Sequence, residues 1–181
     1  MTQFRKKNKR SLLSICMSFI YRKILSNCGE NVMFDSIVYL MRNPQNIKLD
    51  DGVYIKANSR ICPCNEDAQI TIGKNTTIGY NTIIFSSQEI TIGDNCMIAP
   101  NVYIVDSDHG MNKDQLMNQQ ENITNKIIIG NDVWIAAGAV ILKGTMIPDG
   151  CIVAANSVVK GQLEAYSIYG GAPARKIGDR Q

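Results

Sequence analysis

Between Ile129 and Val159 every sixth residue is a branched aliphatic: Ile129, Ile135, Ile141, Ile147, Val153 and Val159. A helix would repeat apolar residues at spacings of three and four, and a two-faced strand would alternate over a few residues. Four places after each aliphatic stands a second, mostly small residue: Val133, Ala139, Thr145, Cys151 and Ser157. The position directly after the aliphatic is often small or turn-prone, as at Gly130, Ala136, Pro148 and Ala154. A six-residue unit with one large and one small inward residue is a short strand followed by a corner. Stacked, such units form a parallel β-helix, a repeat architecture in which each coil buries its neighbour's core.

The same period begins upstream at Leu49, Ile55 and Ile61, slips around residues 62–69, and resumes at Ile72, Ile78 and Ile84. A two-residue excess near Ser86–Glu89 precedes Ile92, Ile98 and Ile104. Three units make one triangular turn of about eighteen residues, so the pattern predicts a mainly β protein of about five coils over residues 46–161. The period lapses across residues 105–126, a polar stretch holding the chain's single histidine, His109. Long irregular insertions in a compact repeat are usually functional or disordered. Residues 162–181 abandon the repeat as a C-terminal extension, with an extended stretch through Tyr166–Tyr169, a turn at Gly170-Gly171 and a basic tail.

Residues 1–45 form a basic N-terminal segment and helical cap. Ser11 to Leu25 is apolar enough for a helix, but only eleven residues separate Arg10 from Arg22, too few to cross a bilayer. Arg22 and Lys23 follow the apolar run and no small-x-small cleavage site appears, so a secretory signal is not indicated. Two readings stand: a helix covering the open end of the coils, or a basic amphipathic segment in peripheral contact with an anionic membrane.

Charge sharpens that second reading. Residues 1–26 carry seven Lys and Arg and no carboxylate, which leaves 12 cations against 16 carboxylates in the rest. The net +3 therefore belongs to one end. No aromatic platform accompanies these cations, so nucleic acid is not an expected partner. The Ile-Gly pairs are corners and do not form a phosphate loop. Of six cysteines, Cys96 and Cys151 fill small-residue positions, and Cys62-Pro-Cys64 lacks the two-residue spacer of zinc and redox motifs. All six are read as reduced thiols, and no metal site is expected.

The blocks ITIGDNCMIAPNVYI (90–104), DSDHG (106–110), IIIGNDVWIAAGAVILKG (127–144) and GGAPARKI (170–177) together resemble the hexapeptide-repeat acyltransferases. The resemblance is nearest to the sugar and polysaccharide O-acetyltransferases. It implies a left-handed β-helix, a homotrimer with active sites between subunits, a cytoplasmic location, and acetyl-CoA as donor. It also implies a sugar acceptor from a surface glycan or its precursor. His109 would be the general base, since an imidazole can take a hydroxyl proton near neutral pH. Asp106 or Asp108 would orient its ring, a role a backbone carbonyl could also fill. Ala137 and Ala155 match positions where coenzyme A passes close to the coils, though corner residues would look the same. Lys160, Gly161 and Arg175 match positions near its phosphates. The galactoside branch has Thr-Lys where this chain has Lys160-Gly161. Trp134 either packs or lines the acyl cleft. Gly79 and Ser87 stand where the galactoside branch has acceptor-binding Asn and Asp, so a different acceptor is expected. The alternatives are N-acetylation of a nucleotide-linked amino sugar and a non-catalytic trimeric β-helix.

Overall fold

The computed structural model describes residues 12–181. The basic residues 1–10, expected to be disordered or surface-bound, lie outside the described residues. The rest is a parallel β-helix, matching the left-handed type, with a helix at one end and a strand hairpin at the other.

Three parallel sheets of short strands form the faces of a triangular prism. The predicted aliphatics stack in register as its core. Leu49, Ile72, Ile92, Ile129 and Ile147 form the first column. Ile55, Ile78, Ile98, Ile135 and Val153 form the second. Ile61, Ile84, Ile104, Ile141 and Val159 form the third. All of them are essentially solvent-free. The stack has six coils, one more than the period predicts. The added coil is the first: Cys28, Phe34 and Leu40 continue the three columns beneath Leu49, Ile55 and Ile61. Residues 27–40 therefore belong to the β-helix and not to the N-terminal cap.

Most corners, though not those at residues 62–69 and 86–89, turn on a residue with left-handed backbone. It stands three places after the inward aliphatic, at Asn58, Asn75, Asn81, Asn95, Asn101, Asp132, Gly138, Gly144, Gly150 and Asn156. These residue types tolerate that conformation, because a bulkier side chain crowds the following carbonyl. The small inward residues close the corner from inside. Thr76 donates its hydroxyl to Gly93 O (2.7 Å), Thr82 to Ala99 O (3.0 Å) and Ser59 to Gly79 O (2.8 Å). Outside, Asp149 accepts from the backbone N–H of Asn131 (2.6 Å), and Asn131 accepts from that of Asp94 (2.8 Å). A Cβ at Gly130 would fall on the Asp149 carboxylate, so glycine is required where adjacent corners approach.

The helix Leu12–Ile24 covers the first coil, with Tyr21 and Leu25 in the core. Tyr21 donates to Val38 O (2.7 Å), and its ring meets Phe34 edge-on at 4.6 Å. At the far end, the C-terminal extension is a hairpin of Ser167–Gly171 and Ala174–Asp179, so the basic tail is a strand. It continues the second face above Ile152 and Val153. Arg180 ties it down through Asp132 (2.8 Å).

All six cysteines are free thiols. Burial pushes Cys62 and Cys96 up to about 11, and raises Cys28 and Cys151 as well. Alkylation near pH 8 should consume exposed Cys16 first and reach Cys62, Cys96 and Cys151 only on unfolding, as mass mapping of modified peptides will show. At a corner, Asn81→Val should lower unfolding free energy by about 1–2 kcal/mol, whereas Asn81→Gly should stay within about 0.5 kcal/mol, by urea denaturation.

Candidate active site

The stretch that interrupts the period is an antiparallel hairpin that leaves the corner between the third and first faces after the fourth coil. Its strands pair Ser107 with Thr124, Asp108 with Ile123, and His109 with Asn122. The loop beyond is held by Gln120, which accepts from Asn112 N–H (2.8 Å) and donates to Asn112 O (2.9 Å) and Gln115 O (3.0 Å). A stretch read from sequence as irregular therefore has a defined shape.

Asp106 sits at the hairpin's root, fully buried. Its carboxylate accepts from Ser86 Oγ (2.8 Å) and from the backbone N–H groups of Ser87 (2.6 Å), Gln88 (2.9 Å) and Glu89 (2.8 Å). It thus closes the corner at residues 86–89, the two-residue excess seen in the sequence. Orientation of His109 is not its task. Asp108 faces Lys143 (3.4 Å), whose ammonium also donates to Ile123 O (3.3 Å) and props the hairpin from the next coil. Successive residues of a strand point to opposite sides, so Asp108 is turned away from its neighbour His109. The His109 ring is exposed and makes no hydrogen bond or ion pair among the described residues. Ser87 and Ser107 meet through their hydroxyls (3.1 Å) at the same edge.

The predicted donor-side residues gather elsewhere. Ala137 and Ala155 occupy consecutive corners between the second and third faces, joined by the bond from Asn156 N–H to Ala137 O (2.9 Å). The hairpin turn adjoins them, with Gly171 N–H donating to Ser157 Oγ (3.2 Å) and Arg175 paired across from Gly170. At the end of the stack a pocket of about 310 Å³ is lined by Lys160, Gln162, Leu163, Tyr169, Arg175 and Lys176, among others. Neither Lys160 nor Arg175 has an ion-pair partner among the described residues. Lys176, which sequence reasoning missed, differs: Asp179 (2.8 Å) and Glu164 (2.7 Å) hold it and push its pKa above the usual lysine range. Gly161 has φ +89°, a backbone conformation that favours glycine. Trp134 projects from the second face between Met97 and Ile152, half exposed in an apolar column.

One chain therefore presents two separate edges. His109 lies on the third–first edge and Ala137, Ala155 and Arg175 follow the second–third edge, with the width of the third face between them. Ala137 and Lys143 are six positions apart, about 20 Å of extended chain around that face.

Residues 126–161 match the family described as bacterial transferase hexapeptide (six repeats), and residues 69–105 match the hexapeptide repeat of succinyl-transferase. No curated protein matches the chain. Solved structures do. A variant of AntD, an N-acyltransferase from Bacillus cereus in complex with dTDP and coenzyme A, is 24% identical with a TM-score of 0.79, covering 90% of this chain and 89% of that one. A maltose O-acetyltransferase from Clostridium difficile is 23% identical with a TM-score of 0.70, over 96% and 80%. A hexapeptide-repeat containing acetyltransferase from Vibrio cholerae is 24% identical with a TM-score of 0.70, over 94% and 83%. The repeats are thus hexapeptide repeats, and the fold is one these transferases share.

The geometry separates stability from chemistry at this hairpin. Asp106→Ala would strand a hydroxyl and three backbone N–H groups and should cost at least about 3 kcal/mol in urea denaturation. His109→Ala, exposed and unbonded, should stay within about 0.5 kcal/mol of the parent.

Proposed function

We propose that the protein is an acetyl-CoA-dependent O-acetyltransferase with His109 as general base. The acceptor is a sugar hydroxyl of a bacterial surface glycan (capsule, O-antigen or exopolysaccharide) or its precursor. The observation that carries this reading is an exposed imidazole with no hydrogen-bond partner among the described residues, at the end of a paired strand on a hairpin secured by Asp106 and Lys143. In the reaction a ring nitrogen of His109 takes the proton of the attacking hydroxyl as its oxygen bonds to the thioester carbonyl carbon. The C–S bond then breaks, and the proton passes to the departing thiolate to give free coenzyme A.

Lys160 and Arg175, both in the pocket lining and without ion-pair partners among the described residues, are cations suited to the donor's phosphates. Ala137 and Ala155 leave the second–third edge low enough for a pantetheine arm. Because base and donor groups lie on different edges, a complete site needs the His109 edge of one subunit against the Ala137 edge of the next. A homotrimer of parallel solenoids supplies three such clefts. Exposed Met111, Leu116, Met117 and Ile123 on the hairpin supply apolar contact for it. The solved neighbours, acetyl- and acyltransferases with coenzyme A bound in several, support the donor class. A cytoplasmic location follows from that donor.

A second reading has its own support. AntD is an N-acyltransferase seen with dTDP-4-amino-4,6-dideoxyglucose, so the acceptor here could be an amine on a nucleotide-linked sugar. The product decides: thiol release from acetyl-CoA over a panel of glycans and sugar nucleotides, with mass spectrometry, should show an alkali-labile ester and not an amide. His109→Ala should lower kcat by about 10²–10⁴-fold, while Lys160→Ala with Arg175→Ala should raise the KM for acetyl-CoA. Undiminished turnover in His109→Ala would remove the mechanism. Light scattering should give three times the 20.0 kDa chain mass.

A further inference from the structure

The helix Leu12–Ile24 packs on the first coil with the wrong residues for an ordinary cap. Its inner face sets two small polar side chains, Ser14 and Ser18, beside Met17 and Tyr21. Ser14 donates to Phe34 O and Ser18 to Ser14 O (2.8 Å), and both are buried. Its outer face carries Leu12, Ile15, Phe19 and Ile20, each half or more exposed. At 100° per residue Leu12, Ile15, Phe19 and Lys23 fall on one stripe, opposite Ser14, Ser18, Tyr21 and Leu25. A helix that served only to close the solenoid would have no need of the second, exposed apolar face formed by Leu12, Ile15, Phe19 and Ile20. Contiguous exposed apolar patches of this kind mark interaction sites.

The charge around the patch indicates its occupant. Arg22 and Lys23 end the helix, with the Lys23 ammonium 4.6 Å from the Phe19 ring centre. Over residues 1–29 the sequence has seven Lys and Arg and no Asp or Glu. A second copy docking here would bring like charges together, whereas an anionic surface neutralises them. Thirteen residues of helix span about 20 Å, short of a bilayer's hydrocarbon core. No helix among the described residues is long and apolar enough to cross a membrane. We propose that this helix lies in the interface of an anionic lipid bilayer, with Leu12, Ile15, Phe19 and Ile20 among the acyl chains and the cations at the headgroups. Such a helix combines apolar burial with electrostatic attraction.

The test is sedimentation of the full chain with vesicles of phosphatidylcholine alone or mixed equally with phosphatidylglycerol. The protein should pellet with the mixed vesicles only, and high salt should weaken binding by about tenfold. Ile15→Glu with Phe19→Glu should lower partitioning by about tenfold or more, with thermal unfolding, molecular mass and acetyl transfer unchanged. If that pair does not fold, Lys23→Glu should weaken binding in the same direction. Failure to bind the mixed vesicles, or equal binding to neutral ones, would overturn the proposal. So would a double variant that binds as the parent does. A fall in molecular mass without vesicle binding in the parent would assign the face to a second copy instead.

Discussion

The structure depends on one backbone constraint: at most corners, three places after an inward aliphatic, the chain turns through a residue with positive φ. At that position Asn, Asp and Gly are tolerated and branched residues are strained, so the sequence there is restricted almost as strongly as at the inward aliphatics. The two restrictions are coupled by a spacing of three. When a corner residue holds its conformation, the next aliphatic points inward and stacks on its counterpart one coil away. The hydroxyls of Ser59, Thr76 and Thr82 then fall against corner carbonyls, which keeps buried polar groups paired.

Much of this was legible in the chain because a six-residue period is unlike any helix or two-faced strand. The three columns from Leu49 to Val159 follow the aliphatics as read, including the slips at residues 62–69 and 86–89. The first coil was hidden by residue type, not by spacing. Cys28, Phe34 and Leu40 keep the period of six, but a thiol and an aromatic ring in place of β-branched residues do not announce it. The corner asparagines are also readable, three places after most of the aliphatics.

At the site, the single histidine and its polar stretch were visible, but the hairpin beneath was not. Its pairing is a tertiary matter of Lys143 and Asp106 reaching across coils. Asp106 is the instructive case. Proximity in sequence to a candidate base suggests an orienting carboxylate, yet four donors from residues 86–89 already surround it. Only the fold shows that the insertion at one corner and the acid at the next form one structural unit. Likewise Lys176 looks as available as Lys160 or Arg175 until Asp179 and Glu164 are seen beside it.

Stacked coils make the molecule a ruler. Coils repeat about every 4.8 Å, so the hairpin root after the fourth coil stands about 14 Å above the first along the axis. That reach is quantised. Removing one complete coil would shorten it by a single step and leave every side chain on its own face. Removing a lone six-residue unit would instead rotate the hairpin by a third of a turn and carry His109 to another edge. Distance between the two ends can thus be changed only in whole turns.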